Sequence, residues 1–145
     1  MQAKLFLTII AVGLAFVPGC GKDDGHIKVY PVQGKVLVAG APAEGARVVF
    51  YPASDDLKKP GMPVPEGTTD AQGAFKLRSY KPGDGAPVGE FKVTVHWPEP
   101  IPPNVDEEMV EPKDRLGKRY VDPQKSGLTA KVEQGGGEIP SFELK

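Results

Sequence analysis

Phe91-Lys92-Val93-Thr94-Val95-His96-Trp97 is the stretch on which the fold turns. Apolar and polar residues alternate through it, so Phe91, Val93, Val95 and Trp97 share one face at period two. Lys92, Thr94 and His96 form the opposite face, which the alternation predicts to be wet, as one side of an antiparallel sheet commonly is. Upstream, Ala46-Arg47-Val48-Val49-Phe50-Tyr51 reads the same way, with Ala46, Val48 and Phe50 inward and Arg47 outward. Pro52 closes that strand, because proline cannot donate a ladder hydrogen bond. Earlier still, Val32, Gly34, Val36 and Val38 share one face of a third strand, punctuated by Ala39-Gly40-Ala41-Pro42.

Turns connect these strands. In Thr69-Asp70-Ala71-Gln72-Gly73-Ala74-Phe75, the Asp70 carboxylate can accept backbone N–H groups across the turn and Gly73 can take a positive φ. Phe75 to Leu77 then alternates, and Lys81 to Pro87 is a second turn cluster. From Ala53 to Thr68 the chain carries Pro60, Pro63 and Pro65 and no hydrophobic period, which predicts an exposed loop. Pro98 to Pro112 reads as a long loop with an acidic run, Asp106-Glu107-Glu108, and at most one helical turn over Val105–Glu111. That run reads as solvated loop. Another short helical turn is expected at Asp114–Tyr120. Leu128 to Val132 alternates again, Gln134 to Gly137 turns, and Ser141 to Leu144 ends as a strand. The pattern is all-β: a two-sheet antiparallel β-sandwich of about seven short strands, with no helix long enough to link parallel ones.

Composition agrees. The 145 residues include 18 Gly and 16 Pro, roughly twice the usual share, which disfavours a helical bundle. The glycines follow no three-residue period, so collagen is excluded. A hydrophobic content of 39% is too high for a disordered chain. The net charge is −1 with no long basic block, and the basic stripe of a nucleic-acid binder is missing.

The amino terminus reads as an address. Met1 to Lys4 carries one positive charge, and the apolar run Leu5–Val17 suits a signal peptide while falling short of the ~20 residues that span a bilayer. Val17-Pro18-Gly19-Cys20 follows, with the chain's single cysteine. This quartet resembles the lipobox of bacterial lipoproteins, an aliphatic residue three before the cysteine and a small one directly before it, with Pro18 departing from the usual small residue. The resemblance implies cleavage before Cys20 and acylation of its thiol. Two or three acyl chains hold a protein stably on a bilayer. The expected organisation is a signal peptide over 1–19, a lipidated tether over 20–30 and a sandwich domain over 31–145. The partners expected are the membrane, through Cys20, and an envelope protein or carbohydrate. Gly21, where some bacteria place a retention aspartate, points to the outer rather than the inner membrane.

Within the domain, Val36-x-x-x-Gly40-x-Pro42-x-x-Gly45-Ala46-x-Val48-x-Phe50-x-Pro52 and Thr69-Asp70-x-x-Gly73-x-Phe75 resemble carboxypeptidase regulatory-like domains. Pro82-Gly83-Asp84-Gly85-Ala86-Pro87-x-Gly89-x-Phe91-x-Val93-x-Val95 is similar to transthyretin-like bacterial lipoproteins, as is Tyr120-x-Asp122-Pro123-x-x-Ser126-Gly127-Leu128-Thr129. The resemblance implies a prealbumin-like Greek-key sandwich and transfers a fold more securely than an activity.

Chemistry finds few residues to work with. Zinc needs three or four N or S ligands, and the chain has two histidines, His26 in the tether and His96 on the wet strand face, with its one thiol expected to be acylated. No nucleophile motif accompanies His96. The expectation is a non-enzymatic binding or structural module with no cofactor and no catalytic or metal site. The alternative is a transthyretin-like small-ligand carrier, or a vestigial enzyme of the hydroxyisourate hydrolase type. Trp97 and Tyr120 are the candidate binding surface: Trp97 either faces inward with Val95 and caps the core, or offers a ring platform to a sugar.

Overall fold

The computed structural model describes residues 25–55, 58–105 and 110–145. The signal segment, Cys20 and the acidic run Asp106–Glu108 lie outside the described residues.

The described chain is all-β, with no α-helix among the described residues. Eleven strand segments appear: β1 (Val29–Tyr30), β2 (Val32–Val38), β3 (Ala41–Pro42), β4 (Arg47–Pro52), β5 (Glu66–Thr68), β6 (Ala74–Lys76), β7 (Ala86–Pro87), β8 (Gly89–His96), β9 (Leu128–Val132), β10 (Gly137–Glu138) and β11 (Phe142–Leu144). One sheet has the order β5-β4-β8-β9 and is antiparallel throughout. A second is built around β2, which pairs with β3, β6, β10 and β11, while β1 and β7 form a two-stranded ribbon.

The alternation explains which residues the two larger sheets press together. Phe91, Val93, Val95, Val48, Phe50 and Val36 have no exposed surface. Phe50 of the four-stranded sheet meets Phe75 and Phe142 of the β2 sheet, edge-on, with ring centroids 6.4 Å away in each case. Within its own sheet it leans on Phe91 at 5.7 Å. Edge-to-face rings at this spacing are favourable beyond the area they bury. One core thus fills the space between the sheets.

Several expectations are corrected. Glu66–Thr68, read as exposed loop, is a strand paired with β4, and Pro65 beside it is fully buried. The sheets are not wholly antiparallel: β10 and β11 run parallel to β2, with Phe142 opposite Val36 and Leu144 opposite Val38. Thr94 is not wet but 6% exposed. The reason is the segment after β8, which folds back: Glu111, Lys118 and Val121 stand over the outer face of β4 and β8 together with Thr94 and His96. Asp114–Tyr120 forms turns and not a helical turn. The Asp114 carboxylate accepts N–H groups of Trp97 and Lys118 at 2.9 and 2.7 Å, tying that segment to the end of β8. The ordered fold also reaches into the stretch read as tether, since β1 pairs with β7 and His26 stacks on Tyr80 at 4.2 Å.

The Asp70 turn follows its reading. Asp70 Oδ1 accepts the N–H groups of Gln72 and Ala74, both at 2.9 Å, and Gly73 has φ 72°. The β2–β3 hairpin is less comfortable. Its two-residue loop has positive φ at both positions, 50° at Ala39 and 81° at Gly40. Such turns favour Asn-Gly, and an alanine there carries a backbone penalty. Ala39→Asn is therefore expected to stabilise the fold by about 0.5–1 kcal/mol, read as a raised midpoint in urea melts. An unchanged or lowered midpoint would count against the turn assignment.

Candidate functional site

β4 and β5 lie side by side in antiparallel register, with Val49 opposite Glu66 and Arg47 opposite Thr68. Side chains on one face of a strand recur every second residue, so Arg47 and Glu66 are diagonal neighbours on the outer face. On the far side of Glu66 the chain beyond β6 makes a bridge. Glu66 N–H donates to Arg78 O at 3.0 Å and Arg78 N–H donates to Glu66 O at 2.8 Å. This places Arg47, Glu66 and Arg78 in a row across three adjacent backbones, and it joins the two larger sheets at one corner. Gly67 makes the corner possible. A Cβ there would sit 2.7 Å from the Lys76 carbonyl oxygen, so a side chain would force β5 away from β6.

The Glu66 carboxylate serves both arginines. Arg47 donates to Oε2 through Nε at 3.0 Å and Nη2 at 2.5 Å, and Arg78 donates to Oε1 through Nη2 at 2.5 Å. The hydrogen bond from Arg78, then that from Arg47, holds the Glu66 carboxyl below its usual value, against the opposing effect of partial burial. A depressed folded value favours the fold above the ordinary carboxylate range, and that support fades as pH falls through the folded value. Glu66 is thus an anion at neutral pH with both oxygens committed.

These three residues border a cleft of about 1130 Å³ whose other lining includes Gln33 and Lys35 of β2, Lys76 of β6, and Pro82 and Gly83. Asp84 shapes that last loop. Burial pushes its carboxyl up, but backbone N–H groups of Ser79, Tyr80 and Lys81, at 2.7, 2.9 and 2.9 Å, outweigh this and lower it.

The residues singled out from the sequence lie elsewhere. Trp97 is half-buried against the core; its indole N–H donates to Glu44 O at 2.7 Å, and the Arg115 guanidinium lies over its ring at 4.6 Å. Tyr120 is 9% exposed, and its hydroxyl accepts the Lys145 N–H at 3.3 Å. Both rings are engaged within the fold, and neither lines the Arg47–Arg78 cleft. His96 is half-buried in a smaller cleft of about 330 Å³ with Thr94, Tyr51 and Glu111. Among the described residues no three His, Cys, Asp or Glu side chains converge as a metal site would require. Sequence reasoning marked Arg47 only as outward-facing and left Glu66 in a loop. Asp55, Asp56, Glu66 and Asp70 all lie between Arg47 and Arg78, and nothing selects Glu66 among them until the strands are paired.

The sequence matches no protein-family model, and no curated protein matches it either.

Proposed function

We propose that this protein is a lipid-anchored component of the bacterial cell envelope whose sandwich domain binds a ligand or partner without catalysing a reaction. The observation that carries the reading is Val17-Pro18-Gly19-Cys20 behind an apolar run, nine residues before the first strand at Val29. A chain of n residues reaches at most ~3.3–3.6 Å × n. His26 is stacked on Tyr80, so acyl chains on Cys20 would hold the domain within about 20 Å of the bilayer. An outer-membrane address, with the domain in the periplasm or at the cell surface, belongs to the same proposal. The sheet order β5-β4-β8-β9 and the turn motifs support a Greek-key, carboxypeptidase regulatory-like domain of the prealbumin kind. The non-catalytic reading is supported by the state of Glu66 in the Arg47–Arg78 cleft. Glu66 is held ionised between two guanidinium groups, so it is poorly placed to exchange a proton with a substrate.

The anchor is tested by Cys20→Ser. Loss of metabolic palmitate labelling, together with accumulation of an uncut precursor, is the expected result. A serine variant that is labelled and processed like the parent would overturn the anchor.

A further inference from the structure

We infer that the cleft at the β5–β6 corner binds a small polyanion, a molecule with two or more carboxylate or phosphate groups, gripped by Arg47 and Arg78. The inference rests on reading the domain as a binding module and names the chemistry of what it binds. A guanidinium carries five N–H donors in a planar fork, which suits carboxylate and phosphate oxygens. Arg47 spends donors of Nε and Nη2 on Glu66, and Arg78 spends one of Nη2. The rest of each fork has no partner among the described residues. Both side chains are about three-fifths exposed, at 62% and 61%, yet one shared carboxylate fixes both. Ordinary surface arginines lose rotamer freedom when they bind, whereas these two are already placed.

The rest of the cleft has the matching charge. Lys35 and Lys76 also line it, are exposed, and pair with no acid among the described residues. Of the three acids on its walls, Glu66 is consumed by the arginines and Asp70 Oδ1 by the backbone of its own turn. Glu138 is the third. Four cations thus meet three carboxylates, a net lining charge of +1 on a chain whose net charge is −1. The cleft, at about 1130 Å³, has room for a ligand of the size that typical pockets of ~300–1,000 Å³ hold. It contains no Trp or Tyr on which a neutral sugar would stack.

The test titrates the full chain in detergent with citrate and with pyrophosphate at low salt, followed by calorimetry. Saturable binding that weakens as sodium chloride is added is expected. Tighter citrate binding supports the carboxylate form of the proposal, and tighter pyrophosphate binding the phosphate form. Arg47→Gln with Arg78→Gln should lower affinity about tenfold or more, because charge-assisted hydrogen bonds are lost. Lys35→Gln with Lys76→Gln removes exposed charges that no strand contact depends on, and should lower it about threefold. Lys125→Gln with Lys131→Gln, an equal loss of charge outside the cleft, should leave affinity within about twofold. Absence of saturable binding by either anion overturns the proposal, as does an equal loss in the distant pair. A chain that labels with palmitate but binds neither anion overturns the cleft alone, whereas binding without labelling overturns only the anchor.

Discussion

Phe50→Ala is expected to cost about 3–5 kcal/mol, the range for emptying a fully buried aromatic site. Phe50 has no exposed surface and touches three other rings, Phe75 and Phe142 across the core and Phe91 beside it. Its removal takes away burial and leaves a void bounded by both sheets, which cannot collapse without sliding one over the other. The loss is a large part of the ~5–15 kcal/mol that holds an ordinary domain together. Urea melts of the full chain read it directly, with His96→Ala as the reference. His96 borders a small open cleft outside the core, so its truncation should stay near the ±0.5 kcal/mol typical of surface sites. Comparable midpoints for the two variants would mean that the sheets do not meet at Phe50.

The second large effect belongs to a backbone. Gly85 has φ 95°, and a Cβ there would lie 1.6 Å from the Tyr30 carbonyl oxygen. Ala at this position pays about 1–2 kcal/mol for the left-handed conformation. Overpacking adds about 1–3 kcal/mol. Gly85→Ala should therefore destabilise the fold by roughly 2–5 kcal/mol and part β1 from β7, which pair through Tyr30 and Ala86. Gly83 provides the internal comparison: its φ is 74°, but no atom lies within 4 Å of its missing Cβ. Gly83→Ala should show the backbone penalty alone. Hydrogen exchange at residues 27–30 distinguishes the two, because only the Gly85 variant should lose protection there. Equal protection in both would mean that β1 does not rest on residue 85.

What could be read in advance divides along a physical line. β4, β8 and β9 have one buried face and one polar face, so their period-two pattern is written into consecutive residues. Leu128–Val132 is assigned to the same five residues from pattern and from structure. β5 escaped because Glu66-Gly67-Thr68 has a buried glycine where a strand usually announces itself with a branched side chain. β1, β7 and β10 are two residues each, too short for any period to show. Thr94 was misplaced because alternation reports on the sheet to which a strand belongs and not on a later segment that covers it. The Arg47–Glu66–Arg78 row failed for a related reason: cross-strand neighbours depend on register, and register here depends on a strand that looked like a loop.

The parallel seating of β11 on β2 bears on when this chain can fold. Phe142 lies opposite Val36, so a central contact of the core joins residues 106 positions apart. Phe142 and Leu144 are buried, and β2 lacks that neighbour until they have emerged. Contacts of such long range also make all-β domains slow folders, on the ms–s scale. A ribosome adds only ~5–20 residues per second, so most of the chain spends seconds in the open before its last pairing partner exists. For the exported form proposed above, passage through a narrow channel would call for an unfolded thread, and this topology would keep one by delaying closure until residue 144 is made.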